Sequence, residues 1–381
     1  MPRRTVLVAH PSADLYGSDL QLVESVAGLS AGGWDVVVSL PQDGPLAGRL
    51  RAAGAAVEVL AVPVLRKSLL SPAGLVLLAR DTARTLPTMV RRLRTLRPDA
   101  VYVNTVTVPL WLAAARLAGR PALCHVHEAE DDAARVVAVL LNAPLLLART
   151  VVVNSHAAAA TLLHAVPALR SRTEVVHNGV AGPPEPPLPA APATGGPRTV
   201  VLVGRLSPRK GTDVAMEAVA LLRAEGRDVR LELCGSTFPG YEWFEEQLRT
   251  RAAEPDLAGA VGFAGYTAPT WPALAAAEVV LVPSRAEPFG NAAVEAQLAA
   301  RPVVASAVQG LPEIVTSGET GLLVPPDDAP ALAAAIAALL DDPARAGALA
   351  TAGHESAARR FTPQRYRAAI TTVVDRVAAR R

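Results

Sequence analysis

The sequence predicts an α/β protein of two Rossmann-like, doubly wound parallel-sheet domains facing across a cleft. Three observations carry this. Short apolar runs alternate with longer segments of helical period, a proline-dense stretch breaks the alternation near its middle, and the alternation then restarts. A chain of 381 residues with 51% hydrophobic content suits two domains, each with a sizeable core.

In the first half the expected strands are TVLVAH (5–10), DVVVSL (35–40), VEVLAV (57–62), AVYVNT (100–105), ALCHVH (122–127), TVVVNS (150–155) and TEVVHNGV (173–180). Segments such as DLQLVESVAGLSAGG and LLARDTARTLPTMVRRLRTLR separate them, with apolar residues every three or four positions. Continuous apolar strands between helices mean a parallel sheet covered on both faces. The first domain is thus expected over 1–180. AGPPEPPLPAAPATGGPR (181–198) is too rich in proline to form a packed element and reads as a stiff linker. The second domain, 199–362, repeats the pattern with RTVVLVGRL (198–206), VRLELCG (229–235), AVGFAG (260–265), EVVLVPS (278–284), PVVAS (302–306) and GLLVPP (321–326). Two helical segments close the chain, the last over 363–381.

Composition narrows the function. A net charge of +2 with dispersed basic residues, and only 4% aromatics, argue against a nucleic-acid partner. Cys124 and Cys234 fall in separate strands, which fits a reducing compartment rather than a disulfide. MPRRTVLVAH reads as a first strand rather than a secretion signal. The longest apolar run, VVAVLLNAPLLLA, is too short for a bilayer and is interrupted by Asn142 and Pro144. The expected location is cytoplasmic. LRKSLL (65–70) and RRLRTLR (91–97) are basic with apolar neighbours. They read either as a peripheral contact with the anionic inner face of the plasma membrane or as the solvent face of amphipathic helices. Oligomeric state is not legible.

Ligands of doubly wound sheets bind beyond the carboxyl ends of strands, so the residues there matter most. GRLSPRKG (204–211) puts Arg205 and Lys210 on a glycine- and proline-bounded loop ahead of a helix near Thr212. Two cations beside free helix amides suit a diphosphate. Lys210 is one of only two lysines, Lys67 being the other, in an otherwise arginine-rich chain. SRAEPFGNAAVEA follows the strand at 278–284. Pro288 biases Glu287 toward a loop, Asn291 is a candidate N-cap, and Glu295 falls on the first turns of the helix. Two acceptor-only carboxylates beside unpaired amides are equipment for gripping a polyhydroxylated ligand. A helix-dipole role would account for Glu295 but not for Glu287.

Three motifs in order, G-R-x(3–4)-[RK]-K-G, E-P-F-G-x-x-x-x-E-A and P-V-V-A-S-x-x-x-G-x-x-E-I-V, resemble those of the family-4 retaining glycosyltransferases of the GT-B fold. The likeness extends to HPSADLYGSDLQL, CHVHEAED and VVHNGV. It implies a hexosyltransferase moving sugar from a nucleotide-diphosphate sugar to a hydroxyl of a glycan, lipid-linked or small-molecule acceptor, with no cofactor and no metal. It implies that Arg205 and Lys210 hold the diphosphate and Glu295 the ribose hydroxyls. Glu287, with the amides of Phe289, Gly290 and Asn291, would bind the sugar. Gly17 would let the first loop approach the phosphates, and Gly265 and Tyr266 would carry the base. His127 would lie beside the sugar. Glu287, His127, Arg205 and Lys210 form the implied catalytic set. Tyr16 stands where the family often has glycine and, with Ser18 and Glu128, is an acceptor-side candidate. His125 and His127 share a strand face; His127 is preferred because it ends the strand, and His125 reads as a buried, satisfied histidine. The resemblance also implies that helix 363–381 packs back on the first domain. A nucleotide-sugar 2-epimerase of the same fold and a non-catalytic nucleotide-sugar-binding protein are the rival readings.

Overall fold

Valine-rich runs bounded by turn residues form two separate parallel sheets. The computed structural model describes residues 4–15, 17–65, 72–128, 135–188, 196–238 and 240–379. By its contacts the chain divides into two units, Met1–Gly179 with Pro363–Arg381, and Val180–Thr362.

In the first unit the strands are β1 (Arg4–Ala9), β2 (Trp34–Leu40), β3 (Ala56–Val59), β4 (Ala100–Asn104), β5 (Ala122–Val126), β6 (Thr150–Val153) and β7 (Thr173–Val175). Their order is β3-β2-β1-β4-β5-β6-β7, all parallel. The helices are α1 (Gly17–Ala31), α2 (Pro45–Ala52), α3 (Pro72–Leu96), α4 (Leu110–Leu117), α5 (Arg135–Asn142) and α6 (His156–Ala165). The pleat sends Val6 and Val8 to one face and Leu7 and Ala9 to the other, each into its own fully buried cluster. Both faces are covered, so the strands are apolar throughout rather than alternating. The predicted runs at 57–62 and 173–180 end as strands at Val59 and Val175, with one further hydrogen bond each, from Leu60 N–H to the Leu40 carbonyl and from Val176 N–H to the Val153 carbonyl. Both are edge strands, with one neighbour to extend along instead of two.

The second unit has β8 (Arg198–Val203), β9 (Val229–Cys234), β10 (Val261–Gly265), β11 (Val279–Val282), β12 (Val303–Ser306) and β13 (Leu322–Val324). Its order is β10-β9-β8-β11-β12-β13, again all parallel. Helices α7 (Thr212–Ala224), α8 (Glu242–Ala252), α9 (Trp271–Ala276), α10 (Asn291–Leu298), α11 (Leu311–Ile314), α12 (Ala329–Asp341) and α13 (Pro343–Arg360) cover its faces. In both sheets the strand order reverses beside the first strand: between β1 and β4, and between β8 and β11. Those reversals open the crevice at which this class of sheet binds ligands.

The last helix, α14 (Pro363–Ala379), returns to the first unit. Tyr366, Ile370, Val373, Val374 and Val377 join the buried cluster that also holds Leu22, Val26 and Leu29 of α1. Gly28 and Gly32 make the approach possible: a Cβ on either would stand 2.7 Å from Arg367 Cβ or 2.8 Å from Thr371 Cγ2. Polar ties flank the seam. Tyr366 Oη and Ser25 Oγ lie 2.5 Å apart, Arg367 Nε donates to Glu24 at 2.7 Å, and Trp34 Nε1 donates to Asp375 at 3.1 Å.

The proline-rich segment is neither helix nor strand over 181–188, and residues 189–195 lie outside the described part, as does most of the basic segment 65–70. The other basic segment ends α3, with Arg91 and Arg94 exposed and Val90 and Leu93 buried. The long apolar run becomes α5 and a 3₁₀ turn, Ala143–Leu147. No described helix is long and apolar enough to cross a membrane. Both cysteines are buried free thiols.

Candidate active site

At the reversal in the second unit, the loop after β8 meets the loop after β11. The first passes through a 3₁₀ turn, Pro208–Lys210, to Gly211, whose φ of 65° makes it the left-handed N-cap of α7. Only glycine fits there: a Cβ would stand 1.9 Å from the carbonyl oxygen of Pro283 in the facing loop. That close approach lets the Lys210 Nζ donate to Glu287 Oε2. Ser284 Oγ donates to the same carboxylate oxygen at 3.3 Å. The Glu287 side chain is 9% exposed and that of Lys210 20%, so the pair is held largely out of water.

Arg285 locks the two loops together. Its guanidinium reaches both Asp213 oxygens, at 2.9 and 2.7 Å, and also donates to Asp327 and to the Pro208 carbonyl. Its backbone N–H donates to the Arg209 carbonyl at 2.8 Å. Sequence reasoning missed Arg285, although a cation directly after a strand is the signal that singled out Arg205. Arg205 itself stacks on Phe238, its Cζ 3.1 Å from the ring centroid.

Helix α10 begins differently from the expectation. Gly290, with φ 120°, is the N-cap and no side chain caps it; Asn291 is the first helical residue. A Cβ at Gly290 would press on Leu311 at 2.7 Å and Ile314 at 3.1 Å, so the turn into the helix must carry no side chain. Phe289 is buried, packed edge-to-face on Phe361. Glu295 lies one turn into the helix, where Thr270 Oγ1 donates to it at 3.2 Å. Burial pushes its carboxyl up to about 7, with the Thr270 bond and the Lys210 charge pulling the other way. Thr270 had no sequence signal. Gly265 ends β10 with φ 70°, and Tyr266 beyond it is 62% exposed.

In the first unit a second polar group sits at the reversal between β1 and β4. His10 follows β1, Asn104 ends β4 and His127 follows β5. His127 Nε2 lies 3.0 Å from Asn104 Oδ1, Asn104 Nδ2 lies 2.9 Å from His10 Nδ1, and His10 Nε2 lies 2.7 Å from Asp19 Oδ1. Asp19 stands in the first turn of α1 and is buried with His10 and Asn104. Burial, and then His10, lower the His127 ring to about 3, so it is neutral. Glu128 Oε2 accepts the His127 backbone N–H at 3.0 Å. The His125 ring lies 4.1 Å from that of His127 but is fully buried, its Nδ1 2.7 Å from Tyr102 Oη. Gly17 is exposed and Ser18 half-buried at the start of α1; Tyr16 lies outside the described residues. His10 and Asn104 escaped notice as the polar ends of apolar runs.

Two doubly wound sheets, each with a polar cluster at its strand reversal, define the GT-B fold. Solved structures share it: HepE from Anabaena in complex with UDP and glucose has a TM-score of 0.80 at 23% identity, over 97% of this chain and 99% of that one. Sucrose-phosphate synthase from Thermosynechococcus elongatus has a TM-score of 0.73 at 22% identity, over 99% of this chain and 100% of that one. The glycosyltransferase family 4 model matches residues 17–181, and the model for glycosyl transferases group 1 matches residues 197–342. The chain belongs to glycosyltransferase family 4. D-inositol 3-phosphate glycosyltransferase of Corynebacterium glutamicum is 40% identical over 149 residues, 38% of this chain and 35% of that protein. Glycogen synthase of Mycobacterium tuberculosis is 34% identical over 183 residues, 48% of this chain and 43% of that protein. The match thus spans less than half the length of these two relatives.

Proposed function

We propose that the chain is a retaining glycosyltransferase that moves a hexose-type sugar from a nucleotide-diphosphate sugar to an acceptor hydroxyl, without a metal. The observation that carries this reading is the Lys210–Glu287 pair at the strand reversal, with Glu295 within reach of the Lys210 charge. Family membership, and the UDP-glucose held by Anabaena HepE, support the choice of donor class.

Cleaving the anomeric bond builds positive charge on the sugar and negative charge on the leaving diphosphate. Arg205 and Lys210 stabilise the latter most where it develops, which lowers the barrier. As the diphosphate arrives, Lys210 exchanges Glu287 for phosphate. Glu287 is then released to accept hydrogen bonds from the sugar hydroxyls, beside the amides of Phe289, Gly290 and Asn291. Glu295 accepts from the ribose, and the backbone at Gly265 and Tyr266 carries the base. The first unit supplies the acceptor side through Ser18 and Glu128, with His127 as the sugar-facing residue. Both same-face attack and double displacement through a carboxylate retain configuration.

A thermal-shift screen against UDP-, GDP-, TDP- and ADP-sugars tests donor binding, since a ligand of the native state alone raises the melting temperature. Transfer to a hydroxyl acceptor, with no donor conversion in its absence, is the expected outcome. Epimerised donor without acceptor, or binding with no turnover, would overturn it.

A further inference from the structure

The four groups Asp19, His10, Asn104 and His127 form one chain of hydrogen bonds across the ends of α1, β1, β4 and β5. Its direction follows from the inventory of donors and acceptors. An ionised carboxylate only accepts, so His10 must donate from Nε2 to Asp19. Where His10 carries that one proton alone, its Nδ1 keeps a lone pair, which accepts from Asn104 Nδ2. The Asn104 amide is thereby oriented with Oδ1 toward His127. Oδ1 can only accept, so the proton of His127 is on Nε2. The lone pair of His127 is left on Nδ1, which has no hydrogen-bond partner among the described residues. His10, Asp19 and Asn104 are all buried, so water does not compete along the way.

We propose that Asp19, His10 and Asn104 are positioning residues that fix His127 in the Nε2–H form and present its Nδ1 as a hydrogen-bond acceptor for a substrate hydroxyl. This rests on the proposed transfer reaction for the identity of the hydroxyl compound, but the tautomer is a property of the protein alone. Asp19 is the anchor because it is the one member that cannot donate. Asp19→Asn puts an amide in its place and can reverse every bond in the chain: the new amide donates to His10 Nε2, His10 donates from Nδ1 to a flipped Asn104, and Asn104 donates to His127 Nε2. The proton of His127 is then on Nδ1, and a hydroxyl there meets a donor where it needs an acceptor. The same substitution behind a catalytic histidine in serine proteases leaves the geometry intact and costs activity through the wrong tautomer.

The test is nitrogen NMR of the full-length protein labelled with ¹⁵N in its histidine rings, at neutral pH, with His127 assigned from the His127→Gln spectrum. The expected wild-type spectrum has both His10 and His127 as neutral Nε2–H rings. Asp19→Asn is expected to raise the Nδ1–H share of His127 and to lower kcat by at least about tenfold. Asp19→Glu, still acceptor-only, restores both. A wild-type His127 with its proton on Nδ1, or a doubly protonated His10, overturns the proposal even if Asp19→Asn does not fold. So does an unchanged tautomer in folded Asp19→Asn, or a changed tautomer with unchanged kcat. Should the chain transfer no sugar at all, the transfer reading and the substrate role fall together, while the spectra still decide the direction of the chain.

Discussion

Lys210 Nζ donates to Glu287 Oε2 across the strand reversal of the second sheet, joining two loops 77 positions apart in sequence. From sequence alone these residues have separate tasks, one for phosphate and one for sugar. Their pairing makes each the other's electrostatic partner, and several consequences can be measured.

Lys210→Ala leaves a largely buried carboxylate without its cation. We expect transfer activity to be lost and stability to fall by about 1–3 kcal/mol. Adding Glu287→Gln removes the stranded charge, so chemical denaturation of the double variant should recover part of the loss without restoring turnover. A double variant as unstable as the sum of the two singles would deny the coupling.

Glu295 should make stability depend on pH. Its folded carboxyl titrates near 7, above the ordinary 4.5. The native state therefore binds the extra proton between those values, and stability falls as pH rises through that window. His127, lowered from 6.5 to about 3, gives a slope of opposite sign below pH 6.5. Comparing wild type with Glu295→Gln isolates the carboxyl. The variant should lack a fall on the order of 3 kcal/mol between pH 4.5 and 7. Parallel curves for the two proteins would contradict the assignment.

Arg285 ties Asp213, Asp327 and the Pro208 carbonyl to one guanidinium. Arg285→Ala should loosen the loop that carries Lys210, raising the KM for donor several-fold more than it lowers kcat. Arg285→Lys should rescue little, because an ammonium cannot make the bidentate bond. Unchanged donor KM in a folded Arg285→Ala protein would reduce the clamp to a surface ion pair.

Gly211→Ala combines a left-handed backbone with a Cβ 1.9 Å from the Pro283 carbonyl oxygen. A loss of at least about 2 kcal/mol is expected, read as a lower melting temperature. Gly226→Ala is the control. It shares a positive φ of 81° but meets nothing within 4 Å, so its cost should be clearly smaller.

The strand runs were legible because burial on both sheet faces demands continuous apolar sequence, and that pattern survives without any tertiary information. The grouping of Lys210, Glu287 and Glu295 was legible because each follows a strand or opens a helix. Partners chosen by space were not. Nothing local marks Thr270 as the donor to Glu295, 25 positions away, or Tyr366 as the partner of Ser25, 341 positions away. The N-cap was misread for a different reason. Asn291 has the usual capping chemistry, but the crowding of Leu311 and Ile314 against position 290 decides where the turn is made.

The chain leaves the first unit at Gly179 and re-enters it at Pro363. At that junction the Val180 N–H donates to the Phe361 carbonyl at 2.8 Å, so the second unit begins and ends at adjacent points. A ribosome releases the chain from its amino end. The cluster that holds Leu22, Val26 and Leu29 therefore lacks Tyr366, Ile370, Val373, Val374 and Val377 until the whole intervening unit has been synthesised. The nascent first unit passes that interval with part of its core incomplete, and a chaperone able to shield it would act on the half-made protein rather than on the finished one.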